Sequence, residues 1–228
     1  MENNLSATAN KDFSIGEAFR FGWDVTRANL GFLIGFMIVA GVLQYIPNYI
    51  LKKAAGQQPL YTIVYLFSLA VNAMVGIGFV KTGLRLVNHE KGQFSDLYDH
   101  WSLFWGFLGM SLLSGLAIMG GFLLLIIPGI ILSIRLSLAP YFVVDKNAGP
   151  LESLKKSFTV TKGLTWKLFF FGLVWMLINL AGVLCLFIGV LVTFPVTLIA
   201  SVYVYKKLTS SSDIEAVPLN ISSGVRKH

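Results

Sequence analysis

Arg135 is the residue whose type and position most invite chemistry. It is the one charged side chain inside the apolar stretches, and every acidic residue lies outside them. An arginine at the centre of a bilayer costs about 2.5–3.5 kcal/mol on insertion scales, so its N–H groups need acceptors. The sequence offers the amides of Asn72 and Asn179, the carbonyl freed by Pro140, or a lipid phosphate. Two roles follow. Arg135 contacts a lipid headgroup or anionic solute, or it snorkels to the outer interface or serves a structural hydrogen bond, which are the more ordinary uses of such a residue.

A second concentration of reactive side chains lies in the polar segment NHEKGQFSDLYDHW, with His89, Glu90, Asp96, Asp99 and His100. Imidazole and carboxylate together can bind a metal. The spacing matches neither HExxH nor an EF-hand loop, and a solvated loop leading into a helix accounts for it better. Asp96 and Asp99 would then complement the positive end of that helix. Cys185 is the single cysteine and sits in an apolar stretch, so no intrachain disulfide or zinc motif exists. There is no phosphate-binding glycine loop, no nucleophile elbow and no carboxylate pair within an apolar stretch. The expectation is a chain without catalytic residues, metal or cofactor, and not an enzyme.

The elements that would position these residues are membrane spans. Of the 228 residues, 55% are hydrophobic and 13% charged, and the mean hydropathy is +0.72. Soluble domains carry about 25% charged residues. Apolar runs of 18 or more residues read as membrane helices. The fold class predicted is all-α, a polytopic transmembrane bundle with spans near residues 30–51, 60–80, 103–127, 129–144, 168–188 and 190–205. Pro128-Gly129 reads as a tight turn between the third and fourth spans. The fourth and sixth are short for a 30 Å core. A polar tail, 1–12, precedes the transmembrane domain, 13–208, and a Ser-rich, disordered tail, 209–228, follows it. No cleavable leader pattern precedes Leu30, so the first span is expected to act as its own insertion signal.

Amphipathic interfacial helices are predicted before spans 1, 3 and 5. Phe13 to Ala28 has Ser14 and Glu17 placed for a capping box. Its charged stripe is Glu17, Arg20, Asp24 and Arg27, and its other face holds Ile15, Ala18, Phe19, Gly22, Trp23 and Thr26. The segment EAFRFGWDVTRA returns 135 positions later as ESLKKSFTVTKG. Glu17 pairs with Glu152, Arg20 with Lys155, Trp23 with Phe158, Thr26 with Thr161 and Arg27 with Lys162. Phe94-Ser95 echoes Phe13-Ser14 and suggests a degenerate middle copy, with Leu97, Trp101 and Phe104 on one face.

The formal charge of +7 fits juxtamembrane lysines and arginines better than nucleic-acid binding. With six spans the basic residues gather on one side and only Lys52 and Lys53 fall on the other. The positive-inside rule then puts both termini in the cytoplasm of a prokaryotic inner membrane. The interfacial basic residues Arg20, Arg27, Lys155, Lys156 and Lys162 point to the bilayer, and to anionic phospholipid, as partner. Gly31 and Gly35 form GxxxG, expected to pack helices within the bundle, with a homo-oligomer as the alternative.

The segments FSIGEAFRFGWDVTRANLG and IPGIILSIRLSLAPYFVVDKNAGPLESLKKSFTVTKGLTWKL resemble the YciC-like group of six-span prokaryotic membrane proteins. They are also similar to the membrane domain attached to some glycerophosphodiester phosphodiesterases. The resemblance covers about residues 13–208. It implies a cytoplasmic-membrane location and a helical fold, and it implies no catalytic residues. No phosphodiesterase domain accompanies it here. The functional expectation is a structural, lipid-associated or accessory membrane protein, and the alternative is a small-solute or lipid transporter or channel. The two clear repeat copies face the same way, unlike the inverted repeats that frame many transporter sites.

Overall fold

The computed structural model describes residues 12–54, 57–185 and 189–215, with side chains through Ser210. The described elements are helical: α1 (Ile15–Ala28), α2 (Leu30–Lys53), α3 (Gln58–Val87), a 3-10 turn (Phe94–Leu97), α4 (Trp101–Leu124), α5 (Ile126–Leu136), α6 (Ala139–Lys146), α7 (Pro150–Val160), α8 (Thr165–Leu184) and α9 (Val190–Glu215). Six helical stretches are long and apolar enough to cross a membrane, counting α5 and α6 as one stretch, Ile126–Lys146. The chain is a multi-pass membrane protein.

Its spans divide into an inner and an outer set. In the most apolar 18 residues of α3, of α5–α6 and of α9, 39%, 39% and 44% of positions are buried. In α2, α4 and α8 the shares are 22%, 11% and 17%. Each hairpin therefore places its second helix at the centre and its first outside. The centre is aromatic: Phe79 meets Phe194 edge-on at 5.2 Å, and Tyr205 packs on Tyr141 and Phe142 at 5.3 and 5.0 Å. Outer helices turn Ile46, Leu112, Leu116, Met176 and Leu184 outward, as lipid-facing positions should.

Hairpin turns are close glycine contacts. A Cβ on Gly121 would lie 2.9 Å from Leu132 Cδ1, and one on Gly182 would lie 2.3 Å from Thr193 Oγ1. Both members of the second pair stand 61 positions after those of the first. The reversal between α4 and α5 falls at Leu125, whose backbone is extended, and not at Pro128-Gly129. Pro128 sits in the first turn of α5, where its missing N–H costs nothing. Gly129 lets Phe122 approach, since a Cβ there would meet its ring at 2.5 Å. The two spans read as short reach 21 residues each, Ile126–Lys146 and Val190–Ser210. α9 continues to Glu215, so residues 209–215 are helical. The predicted tails at 1–11 and 216–228 lie outside the described residues.

Pro140 breaks the fourth span into α5 and α6. It stands in the first turn of α6, after Ser137 and Leu138, and cannot supply an N–H to the preceding turn. The last carbonyls of α5 therefore need other donors.

α1 has the predicted start: Ser14 Oγ accepts from the Glu17 N–H at 3.4 Å. It buries Ala18, Gly22 and Thr26 against α9. A Cβ on Gly22 would lie 2.5 Å from the Val196 carbonyl oxygen. In α7 and the turn after it, Ser153, Ser157 and Thr161 are buried, each 135 positions after its counterpart in α1. α7 packs on α4, α5 and α6. Trp23, placed by its spacing on the inner face, is instead 49% exposed.

The predicted helix before the third span does not form. Phe94–Leu97 makes a single 3-10 turn on α3, and α4 starts at Trp101. Asp96 draws that turn inward, and Gly78 makes room for it: a Cβ on Gly78 would lie 2.9 Å from the Asp96 carbonyl oxygen. Gly31 and Gly35 do not mark a close helix crossing. A Cβ on Gly31 would meet nothing within 4 Å, and Gly35 faces only the Phe94 ring.

Candidate functional site

Arg135 occupies the last turn of α5, and the break made by Pro140 decides its surroundings. Its carbonyl, left without an ordinary helical partner, accepts from Ser157 Oγ at 2.6 Å and from Thr161 Oγ1 at 3.4 Å. α7 is thereby tied to the backbone of α5, with Phe158 between its two donors. The guanidinium lies over the Phe158 ring, 4.4 Å from its centroid. A cation on an aromatic face is attracted by the ring quadrupole, most strongly where water is scarce. Nε is buried and has no hydrogen-bond partner among the described residues.

A groove of about 530 Å³ runs beside this side chain. Ile127, Ile130, Ile131 and Ile134 of α5 form one wall; Trp166 and Phe169 of α8 form the other. Gly163 and Thr165 close the end nearest Arg135. The N-terminus of α8 begins there, and no side chain caps it. Among the described residues, Arg135 is the only charged one lining the groove. The site thus joins a cationic, donor-rich mouth to a branched-aliphatic trough.

The partners suggested for Arg135 by the sequence lie elsewhere. Asn72 Nδ2 donates to the Ser68 carbonyl within α3 at 2.8 Å. Asn179 Nδ2 donates to the Trp175 carbonyl at 2.9 Å and to Thr197 Oγ1 at 3.1 Å. The side chain does not turn toward the end of the bundle that carries Lys52 and Lys53. It turns toward α7 and the start of α8. It stacks on Phe158, because the α5–α6 break brings α7 alongside.

No curated family model matches this chain. Three curated relatives do: two uncharacterised proteins of Mycobacterium tuberculosis, from strains H37Rv and CDC 1551, and one of Mycobacterium bovis. Each is 33% identical over 120 residues, covering 48% of this chain and 35% of the relative. The chain spans about a third of the length of the curated relatives it matches. No solved structure matches.

The basic residues singled out in the sequence ring the α1–α7 end. Arg20, Arg27, Lys155, Lys156 and Lys162 are all exposed. Lys156 Nζ pairs with Glu152 one turn away at 2.7 Å. Glu152 also accepts from the Gly149 N–H, and the Lys156 bond, followed by this one, holds its carboxyl below the usual glutamate range. Glu17 behaves differently from its counterpart. It reaches across to α9, accepting from Tyr203 Oη at 2.6 Å and Lys207 Nζ at 2.9 Å. Those two donors lower its pKa, Tyr203 contributing most.

Asp96, read as a solvated helix-start residue, has a fully buried side chain. It lies 3.2 Å from Arg85 Nε and accepts from Thr82 Oγ1 at 3.3 Å. It is therefore committed to α3 and does not gather with His89, Glu90 and His100. Two further polar clusters escaped the sequence. Asp145 accepts from Tyr205 Oη and Lys206 Nζ, both at 2.9 Å, joining α6 to α9. Asp12 pairs with Lys167, joining the segment before α1 to α8. The available signal was weak: Asp145 and Lys206 each stand just beyond an apolar run, and Lys167 just before one, but Asp12 borders none.

Proposed function

We propose that this protein is a non-enzymatic, lipid-associated component of a prokaryotic cytoplasmic membrane, and that the groove beside Arg135 holds an anionic phospholipid. The observation that carries the reading is the unpartnered Nε of Arg135 at the mouth of an isoleucine-lined groove. A phosphate supplies the acceptors that a guanidinium needs and that no nearby carboxylate provides. One acyl chain then lies along Ile127, Ile130 and Ile131. Trp166, 76% exposed, suits the headgroup level, where indole rings are favoured.

The orientation belongs to the same reading. The α1–α7 end carries Arg20, Arg27, Lys155, Lys156 and Lys162, and the opposite end carries Lys52 and Lys53. The positive-inside rule makes the first end cytoplasmic, with both termini there. α1 and α7 then lie at the cytoplasmic interface, each with one face on the bundle and a charged face outward, as amphipathic helices do. Matching buried positions 135 apart in α1 and α7, and matching glycine contacts 61 apart in two hairpins, support duplication of a helix-plus-hairpin unit. The resemblance to YciC-like proteins agrees with this architecture.

The test is quenching of Trp166 by brominated lipid, in a variant whose other tryptophans are replaced by phenylalanine. Brominated phosphatidylglycerol is expected to quench Trp166 more than brominated phosphatidylcholine does, and Arg135→Gln to abolish the difference. Equal quenching by the two lipids in the Arg135 protein would overturn the reading.

A further inference from the structure

A second cavity, of about 340 Å³, lies between α5, α6, α8 and α9. Its volume is in the range of small-molecule sites. It touches the first groove only at Ile134 and contains no charged residue. Four hydroxyl-bearing residues line it: Ser133, Ser137, Tyr141 and Ser201. The rest of the lining is apolar, with Phe171 and Trp175 of α8 the largest parts.

The protons of the three serine hydroxyls are already committed. Ser133 Oγ donates to the Ile130 carbonyl at 2.8 Å, and Ser137 Oγ donates to the Ile134 carbonyl at 2.7 Å. Ser201 Oγ donates to the Thr197 carbonyl at 2.8 Å. Tyr141 is hydrogen-bonded to Ser201, so these two hydroxyls engage each other. The unused capacity of the three serines is lone pairs. The remaining donor on a lining side chain is the indole N–H of Trp175.

We infer that this cavity binds the hydroxyl head of a neutral amphiphile, a long-chain alcohol or a lipid with a free hydroxyl. A hydroxyl donates to the serine and tyrosine oxygens and can accept from the indole. A carboxylate or phosphate meets lone pairs on every serine and no cation. An ammonium has nothing with which to accept from Trp175. A plain hydrocarbon fills the apolar wall and makes no use of the lone pairs left on the serines. Ser137 and Trp175 are exposed, so the cavity opens sideways between α5 and α8, toward the lipid phase. The inference stands apart from the phospholipid reading at Arg135.

The experiment uses three photoactivatable twelve-carbon probes on the full chain in nanodiscs: an alcohol, an amine and an alkane, each with the same mid-chain diazirine. Labelling is mapped by mass spectrometry of the peptides spanning 133–141 and 168–175. The alcohol is expected to label these peptides at least tenfold more than either other probe. The Ser133→Ala/Ser137→Ala double variant is expected to lose most of that preference, and Arg135→Gln to keep it. Equal labelling by the alkane or by the amine overturns the inference, as does a preference unchanged in the double variant. Tyr141→Phe is the second variant if the double one loses its thermal transition, and an unchanged preference there overturns the inference equally.

Discussion

At Asp96 a carboxylate with no exposed side-chain surface is held by Arg85 and Thr82. Breaking a buried pair by removing one partner costs about 3–5 kcal/mol, because the other charge is left uncompensated. Arg85 keeps 24% of its side chain exposed, so the lower end applies. Asp96→Ala should lower the thermal midpoint in detergent by several degrees, and pairing Asp96→Leu with Arg85→Met should recover much of the loss. Glu17 carries a pH dependence. Its folded pKa lies below the usual value, so its bonds to Tyr203 and Lys207 contribute fully at neutral pH. That contribution fades as the pH falls below about 4.3 and through the lowered value. The protection factors of the α1 amides, corrected for the intrinsic exchange rate at each pH, should fall in acid in the wild type, and Glu17→Gln should show lower protection already at neutral pH with a flatter acid response. Roles at this scale were only partly legible. Arg135 stood out because a charge in an apolar run is rare. The burial of Asp96 was hidden, because it depends on the missing Cβ of Gly78 in another helix.

Elements were more legible, since hydrophobic period and capping residues are local. The start of α1 follows from its N-cap serine, Ser14, and α7 starts at Pro150, just ahead of the repeated segment. The break between α5 and α6 was not legible, since the fourth span reads as continuous through Pro140. What spacing missed was what each amphipathic segment packs on: α1 reaches α9, the last helix of the chain. Gly22 makes that contact. Gly22→Val should overpack it and destabilise by about 1–3 kcal/mol. Gly16→Ala, where a Cβ meets nothing within 4 Å, should be neutral or slightly stabilising by helix propensity. Limited proteolysis between α1 and α2 reads both variants: faster cleavage is expected for Gly22→Val alone.

The six-span, all-helical plan was readable for the whole molecule from composition and run length. The inner and outer placement of the spans was not, because both sets are apolar in lipid and differ only in who their neighbours are. Orientation is a prediction at this scale. A reporter fused after Glu215 should read cytoplasmic, and one inserted beside Lys53 should read extracytoplasmic; the reverse pair would invert the proposed arrangement. The central claim is that Arg135 holds an anionic phospholipid in the groove between α5 and α8. Native mass spectrometry of the protein released from phosphatidylglycerol-containing nanodiscs tests it most directly. The wild type should retain one phosphatidylglycerol in preference to phosphatidylcholine. Arg135→Gln, with an unchanged thermal midpoint, should lose at least tenfold in that retention, about 1.4 kcal/mol. Equal retention of phosphatidylglycerol by the wild type and Arg135→Gln would contradict the account.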